Sequence, residues 1–415
     1  MGVRRMRDPH TRTGLVAGVV LVAAIVGSAA AQPDTVGRSL TLPEQPAPHW
    51  FWLSDIALHR TALFDGDRGE LLGTISSGTA GLGFVISPLF AKDGREIYIP
   101  ETYYARGVRG ERTDVVTVYD GRTLGPLAEI PIPPKRAEYF PGNAANALSD
   151  DGRLLAVFNL TPMASLSIVD VRERRFVAEV STPGCSLVYA AGPQRFLMLC
   201  ANGGALTVSL DETGQPTVAR TQPFFDPQKD PLTEKAVRRG DEWLFVSFDG
   251  WIQPVDVSGP ELHMGERWSL LDEADRTATW RVGGSQHLAV HRASGRLYAL
   301  MHQGAVDTHK EAGHEIWVFD VATRRRVLRI PVVSPVVSFI AQQAGLERGS
   351  AARWVLEKVL PNTGVDAIVV TQDDKPVLMA AGMVPPTVTV HDANTGEVVR
   401  EISEVGLALS LLFTP

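Results

Sequence analysis

The chain has 415 residues and a formal net charge of −7, with 44% hydrophobic and 7% aromatic residues. The mildly acidic balance argues against a nucleic-acid-binding protein, because such proteins usually carry a basic stripe or patch. No Gly/Ser linker or charge run divides the chain, so long disorder and several separate domains are both disfavoured.

The first 31 residues have the pattern of a secretory signal peptide. Arginines between positions 4 and 12 precede an uncharged apolar run from Leu15 to Gly27, and the small residues Ala29–Ala31 follow. We predict cleavage before Gln32 and export to the periplasm. The alternative is a membrane anchor, but the apolar run is shorter than the roughly 20 residues that span a bilayer. After cleavage we expect no membrane association.

From His49 onward, one sequence pattern returns seven times. Each copy has an apolar strand, a second strand that ends on an acidic or turn residue, a short turn and a third strand of alternating apolar residues. The four clearest copies begin at Glu96, Leu154, Arg296 and Val377. Three weaker copies begin at His49, Phe196 and Trp243. Division of the mature chain by seven gives about 55 residues per copy, enough for four strands and their loops.

The repeats predict an all-β fold, a seven-bladed β-propeller over residues 32–415. No copy could bury both faces of its sheet alone, so the copies must stack and close into a ring. A pair of β-sandwiches or an open β-solenoid is the alternative. Only Phe339–Leu360 departs strongly from the β pattern, with apolar residues at near-helical spacing. We predict a helical insertion there, on one face of the disc, the alternative being an irregular loop.

The cysteines and histidines indicate structure rather than chemistry. Cys185 and Cys200 are the only cysteines, and in an oxidising compartment such a pair predicts one disulfide. Two free buried thiols are the alternative.

His302, His309 and His314 form the densest histidine group, but their spacing matches no helical zinc motif. We therefore predict that they make hydrogen bonds in an inter-strand loop, and that this chain holds no metal.

Several segments, in one order along nearly the whole mature chain, are similar to those of a known family. They are Val108–Val116, Ile132–Arg136, Trp268–Leu271, Gly283–Gly284, His291–Arg296, Thr308–Lys310 and Glu315–Val318. These segments resemble the heavy subunits of methylamine and aromatic amine dehydrogenases, and several look nearer to the aromatic amine enzyme. Cys185 and Cys200 also fall where that family has a disulfide.

The resemblance implies a seven-bladed propeller within an α2β2 enzyme that oxidises primary amines to aldehyde and ammonia. The family's cofactor, tryptophan tryptophylquinone, is built from two Trp residues of the small subunit. No catalytic residue and no cofactor are therefore expected in this chain. Electrons would pass to a blue-copper protein, either amicyanin-like or azurin-like.

Two candidate sites follow. The resemblance implies a substrate-channel role for Phe84, although a small insertion at Ser77–Leu82 departs from the family pattern and core packing is the alternative. Arg106, Arg109 and Arg112 form a basic cluster that could pair with carboxylates of a partner subunit. A solvated loop is the alternative for these arginines.

Two other functions remain open from the sequence. One is a non-catalytic periplasmic propeller that binds proteins through its loops. The other is a metal-dependent propeller hydrolase, with ligands contributed by several blades around the axis.

Overall fold

The computed structural model describes residues 41–76, 87–138 and 142–415, and the predicted signal peptide lies outside these ranges. The described strands form seven antiparallel sheets. Each sheet is one blade, and we number the blades from the N-terminal end. This architecture confirms the predicted seven-bladed β-propeller.

The strands are numbered in chain order. Blade 1 contains β1 (Trp50–Asp55), β2 (Arg60–Asp65) and β3 (Glu70–Ser76). Blade 2 contains β4 (Leu89–Phe90), β5 (Glu96–Tyr104), β6 (Arg112–Asp120) and β7 (Pro126–Ile132). Blade 3 contains β8 (Asn146–Leu148), β9 (Leu154–Asn159), β10 (Ser165–Asp170) and β11 (Arg175–Ser181). Blade 4 contains β12 (Cys185–Ala190), β13 (Arg195–Cys200), β14 (Ala205–Leu210) and β15 (Pro216–Arg220). Blade 5 contains β16 (Val237–Arg239), β17 (Glu242–Val246), β18 (Trp251–Asp256), β19 (His263–Met264) and β20 (Trp268–Ser269). Blade 6 contains β21 (Trp280–Val282), β22 (Leu288–His291), β23 (Arg296–Gln303), β24 (Glu315–Asp320) and β25 (Arg325–Pro331). Blade 7 contains β26 (Ala367–Val370), β27 (Val377–Gly382), β28 (Thr387–Asp392) and β29 (Val398–Ser403).

The last strand closes the ring. β30 (Leu409–Phe413) pairs with β1 and is the innermost strand of blade 1, so the N- and C-terminal parts share one sheet. The buried carboxylate of Asp55 strengthens this closure, because it accepts hydrogen bonds from the backbone nitrogens of Leu407 (2.7 Å) and Ala408 (3.2 Å). Closure buries the two sheet faces that an open stack of blades would expose.

The hydrophobic core lies between the blades. β9 and β10 are buried along their whole length, because each middle strand packs against neighbouring sheets on both faces. One cluster joins Phe51 of blade 1 to Met379 of blade 7, and another joins Leu244 of blade 5 to Trp317 of blade 6. The apolar strands of the sequence repeat are therefore the inter-blade contacts.

Each blade has an innermost strand that the sequence repeat did not include, so the second strand of the repeat is the third strand of the blade. An aspartate at the end of this third strand is the acidic residue of the repeat. Its Oδ1 atom accepts hydrogen bonds from backbone N–H groups two to four residues further on, which fixes a tight turn. The seven residues are Asp65, Asp120, Asp170, Asp211, Asp256, Asp320 and Asp392. Asp211 was not part of the predicted pattern, because strand β14 extends beyond the expected end at Val208.

The predicted insertion is helical, but it begins earlier and is interrupted. Besides α1 (Glu273–Thr277), the described residues contain α2 (Pro335–Gln343) and α3 (Ala351–Val359) in this region. The side chains of Ser334 and Ser350 cap the two helices. Gly345 and Gly349 lie between the helices with φ of 63° and 78°, values that favour glycine and stop a helix. No described helix is long and apolar enough to cross a membrane.

The two helices cover the outer edge of blade 7. α2 packs against β28 and β29, and the side chain of Gln342 accepts a hydrogen bond from the Ser403 nitrogen (3.0 Å). Arg348 donates to the Val398 carbonyl (3.0 Å). Arg353 of α3 is bound by both carboxylate oxygens of Glu401 at 2.7 and 2.9 Å. The insertion therefore satisfies backbone groups that an exposed edge strand would leave open.

Candidate functional site

The two faces of the disc are built from different kinds of connection. Because neighbouring strands are antiparallel, the seven aspartate turns all emerge on one face, which we call the turn face. The opposite face carries the connections between blades and, within each blade, the connection between the second and third strands counted from the axis; we call it the loop face. The connections within blades on this face are residues 56–59, 105–111, 160–164, 201–204, 247–250, 304–314 and 383–386.

Exposed large hydrophobic side chains are distributed unequally over the described part of the chain. One group lies on outermost strands at the rim: Leu71, Leu127, Val218, Val327 and Val399. A second group lies on α3: Trp354, Val355 and Val359. All the others lie on the loop face: Leu58, Tyr103, Val108, Leu160, Met163, Val306, Val384 and Leu407.

The loop-face group lies on five consecutive blades of the ring, and we call it the apolar crescent. Its members come from blades 6, 7, 1, 2 and 3, whereas the 201–204 and 247–250 loops of blades 4 and 5 contribute none. Val108 is 69% exposed and Val384 is 72% exposed. Exposed apolar side chains grouped on one surface are typical of a protein–protein interface.

A hydrogen-bonded network supports the blade 2 part of the crescent. The Arg112 guanidinium binds both carboxylate oxygens of Asp114 (2.8 and 2.7 Å) and also Glu138 (2.5 Å). Asp114 in turn accepts from the Arg136 nitrogen (3.0 Å) and from the Thr102 hydroxyl (2.9 Å). Burial opposes the charge of Arg112, but the two carboxylates outweigh it and raise the pKa of Arg112. The network joins β5 and β6 at the base of the 105–111 loop.

The three predicted partner-contact arginines fall into two environments. Arg112 is largely engaged within the chain through its bonds to Asp114 and Glu138. Arg106 and Arg109 lie exposed at the tip of the hairpin, where the Arg106 nitrogen donates to the Arg109 carbonyl (2.9 Å). Of the three, these two present their guanidinium groups to solvent next to Val108, so they remain the candidates for direct contact with a partner.

The other two predicted sites have different outcomes. Phe84 lies outside the described residues, so its substrate-channel role stays a prediction. Cys185 and Cys200 are directly opposite each other on β12 and β13 and are joined by a disulfide. The bond lies at the loop-face end of blade 4, and no cysteine is left free.

The innermost strands enclose an axial cavity of about 780 Å³. Every blade contributes an apolar residue to its wall: Leu411, Leu89, Ala147, Val188, Val237, Leu288 and Val369. Polar groups lie at its two ends. An ion pair between Arg238 and Asp150 (2.5 Å) lies towards the turn face, and Glu234 and Lys235 lie towards the loop face, at the entry to β16.

The histidine group does not form a shared site. His302 lies on β23 rather than in the predicted loop, and its Nε2 atom is 2.8 Å from the Thr308 hydroxyl. His309 stacks on Phe248, with ring centroids 3.7 Å apart. No group of His, Cys, Asp or Glu in residues 41–76, 87–138 and 142–415 is arranged to hold a metal ion.

The Trp280–Trp317 pair is part of the blade packing. The ring centroids are 5.0 Å apart, and Arg329 lies over both rings. Trp317 is fully buried and donates its Nε1–H to Glu315 (2.7 Å). Cations over both rings and a carboxylate on the indole nitrogen fit a structural pair.

The sequence did not point to the apolar crescent or to Lys235. Single apolar residues inside polar loops, such as Val108, Val306 and Val384, were the available signal for the crescent. Lys235 gives no local signal, because its partner, the Gly284 carbonyl (3.0 Å), is 49 residues away.

Comparison with known sequences identifies relatives over most of the chain. The family description "Methylamine dehydrogenase heavy chain (MADH)" matches residues 55–344. The methylamine dehydrogenase heavy chain of Methylophilus methylotrophus is 25% identical over 427 aligned positions, which cover 98% of this chain and 97% of that protein. The one from Paracoccus versutus is 27% identical over 361 positions, covering 86% of this chain and 76% of its own.

Solved structures share the fold at low identity. A functionally unknown protein from Desulfotomaculum acetoxidans superposes with a TM-score of 0.56 at 11% identity, covering 87% of this chain and 98% of its own. Dihydro-heme d1 dehydrogenase NirN superposes with a TM-score of 0.55 at 16% identity, covering 90% and 76%. These likenesses concern the fold alone. The family match covers well over half of the sequence, and the chain therefore belongs to the methylamine dehydrogenase heavy chain family.

Proposed function

We propose that this protein is the large, cofactor-free subunit of a periplasmic amine dehydrogenase that converts primary amines to aldehyde and ammonia. Its partner would be a small subunit that carries tryptophan tryptophylquinone, in an α2β2 assembly. The quinone supplies the electrophile and the electron sink for amine oxidation, and electrons would leave to an amicyanin-like or azurin-like copper protein. The family membership supports each of these assignments.

The apolar crescent is the observation that carries the proposal for this chain. Leu58, Val108, Val306 and Val384 are exposed on the loop face, as expected where another protein docks. Obligate interfaces commonly bury more than about 2,000 Å² and are more apolar than transient ones. Apolar side chains on five blades suit a permanently bound subunit.

The rigidity of the blade 2 hairpin supports the same assignment. The side chains of Arg112 and Asp114 and the backbone nitrogen of Arg136 hold the base of the hairpin, and Val108 and Arg109 at its tip are exposed. A loop that is fixed before binding loses less conformational freedom when a partner docks. Arg106 and Arg109 would then pair with carboxylates at the rim of the small subunit.

In this assignment the chain's own residues have supporting roles. The crescent would bind and orient the small subunit and would exclude water from the contact. Phe84, which precedes blade 2, would line the route of the amine. The role of this polypeptide is then to shape and seal a site whose reacting groups are on another chain.

Co-purification from the native host tests the proposal. We expect the tagged mature chain to bring down a small cysteine-rich exported protein in equal amounts, and the complex to show the visible absorption of a protein-derived quinone that bleaches on addition of a primary amine. A monodisperse chain that returns alone from the periplasm, without such a spectrum, would instead support a stand-alone binding propeller.

A further inference from the structure

The most unusual ionisable group outside the apolar crescent is Lys235. Its side chain is only 7% exposed, and it borders the axial cavity at the loop-face end. The chain has seven lysines. Lys135 and Lys229 are 34% and 86% exposed, and the remaining four, Lys92, Lys310, Lys358 and Lys375, are exposed as well.

The surroundings of Lys235 offer little compensation for a positive charge. Its Nζ atom donates to the Gly284 carbonyl (3.0 Å), and Glu234 Oε1 is 3.9 Å away. Burial lowers the pKa of Lys235; Glu234 opposes this effect and Lys310 adds to it. At neutral pH, a larger fraction of Lys235 is therefore the free amine than is the case for a solvent-exposed lysine.

The histidines on this side do not supply a negative partner. His287 is fully buried, with its Nε2 atom 3.0 Å from the Thr233 hydroxyl, and burial lowers its pKa well below the ordinary value. Burial and then the charge of Lys235 lower the pKa of His309. The Glu234 carboxylate is thus the acidic group beside Lys235, and burial favours the neutral forms of His287 and His309.

We propose that Lys235 is a carbonyl-reactive amine, and that aldehydes entering the axial cavity condense with it to form a Schiff base. Three features carry the proposal: an amine nearly removed from solvent, an open cavity of about 780 Å³ beside it, and a carboxylate within 4 Å. Lysines that are desolvated in apolar pockets are the ones that proteins use for Schiff-base chemistry.

The reaction balances without any further reactant. The unprotonated Nζ attacks the carbonyl carbon, and Glu234 carries one proton from the nitrogen to the alkoxide oxygen, which gives a neutral carbinolamine. As the C=N bond then forms, the nitrogen releases its second proton to Glu234, and Glu234 passes it to the departing hydroxyl group, which leaves as water. One amine and one aldehyde give one imine and one water, and hydrolysis reverses the reaction.

This inference does not depend on the proposed function, although it bears on it. An amine dehydrogenase releases aldehyde, so a reactive amine at the loop-face end of the cavity would meet that product. The chemistry of Lys235 is nevertheless a property of the isolated chain and any small aldehyde. Failure of the aldehyde experiment would leave the amine dehydrogenase assignment untouched, and the reverse also holds.

Reductive trapping tests the proposal. The mature chain is incubated at neutral pH with a limiting amount of acetaldehyde and sodium cyanoborohydride, which fixes imines as ethylated lysine, and each lysine is quantified by peptide mass spectrometry. We expect Lys235 to be labelled severalfold more than exposed Lys358, although Lys358 is far more accessible. In urea-unfolded chain we expect both residues to be labelled equally.

Two variants sharpen the test. Lys235→Arg should lose the dominant label and leave the labelling of Lys358 unchanged, and Glu234→Gln should slow labelling of Lys235 severalfold because the carboxylate is missing. Labelling of Lys235 in the folded wild-type chain that is equal to or below that of Lys358 would overturn the proposal, since it would mean that the cavity protects the amine rather than activating it.

Discussion

Arg112 and Asp114, two residues apart on β6, face each other through a pair of parallel hydrogen bonds of 2.8 and 2.7 Å. Side chains two apart on a strand lie on the same face of the sheet, so the pair forms within one strand and leaves Asp114 free to receive Arg136 from the chain that follows blade 2. The pair thus connects the exposed hairpin tip to the interior of the disc.

Replacement of Arg112 tests this connection. Arg112→Ala leaves the fully buried Asp114 carboxylate without its bidentate partner, so we expect the free energy of unfolding to fall by about 3 kcal/mol, the lower end of the cost of breaking a buried ion pair. Urea unfolding followed by circular dichroism measures the change. Arg109→Ala, in the same hairpin but exposed, should change stability by less than about 0.5 kcal/mol. Equal effects of the two substitutions would show that the network does not hold the hairpin.

Replacement of a crescent residue tests the interface. Val384→Asp places a charge in the apolar crescent and should weaken binding of the small subunit at least about tenfold, equivalent to about 1.4 kcal/mol. Val399→Asp, an exposed valine on the outer strand of the same blade, is the matched control and should leave the Kd unchanged. Surface plasmon resonance with immobilised small subunit gives both values. If the two variants bind alike, the crescent is not the docking surface.

Removal of the disulfide tests its contribution to blade 4. The double variant Cys185→Ala, Cys200→Ala frees a loop that the bond closes at a sequence separation of 15, and we expect a loss of about 3 kcal/mol of unfolding free energy. A reducing agent should lower the stability of the wild-type chain to the same value and leave the variant unaffected. A reductant effect of similar size on the variant would locate the loss elsewhere.

Acidification should destabilise the fold between about pH 6.5 and 5. Burial lowers the pKa values of His287, His302, His309 and His391 in the folded chain, so the unfolded chain binds more protons in this range and stability falls as the pH falls. Each fully buried histidine contributes up to about 1.4 kcal/mol per pH unit below 6.5.

His49 acts in the opposite sense. Burial opposes protonation, but Asp67 and Asp373 raise the pKa of His49, so its protonation stabilises the fold by a constant amount below about pH 6.5, and this stabilisation is lost as the pH rises above 6.5. Urea unfolding at several pH values measures the balance, and His287→Gln should flatten the curve. A wild-type stability that rises on acidification below about pH 6.5 would contradict the lowered pKa values of His287, His302, His309 and His391.

The repeating strands could be predicted because two physical rules act on every copy. Alternation of apolar residues follows from packing between blades, and the aspartate that ends the third strand follows from the turn that it fixes, as at Asp120 and Asp320. The innermost strands were not predicted. β4 has two residues and β8 has three, too few to show a period. β12 and β30 have six and five residues and were missed although a period could show. The innermost strands line the axial cavity.

The candidate site was only partly predictable. The arginine cluster was found, but its division into an engaged Arg112 and exposed Arg106 and Arg109 depends on Glu138 and Arg136, which lie more than twenty residues along the chain. The start of α2 could have been found, since Ser334 followed by proline is a helix-start signal. Membership of the crescent depends on which loops share a face, and that is known only once the ring is closed.

In the proposed function, this chain shapes and seals an active site whose reacting groups are on another polypeptide. Amine-dependent reduction of a redox dye, measured for the separate subunits and for their mixture, tests this division of roles. We predict no turnover by the purified chain and turnover at enzyme-like rates by the recombined complex, diminished by Val384→Asp. Turnover of a primary amine by the purified chain alone would show that the reacting groups are on this chain.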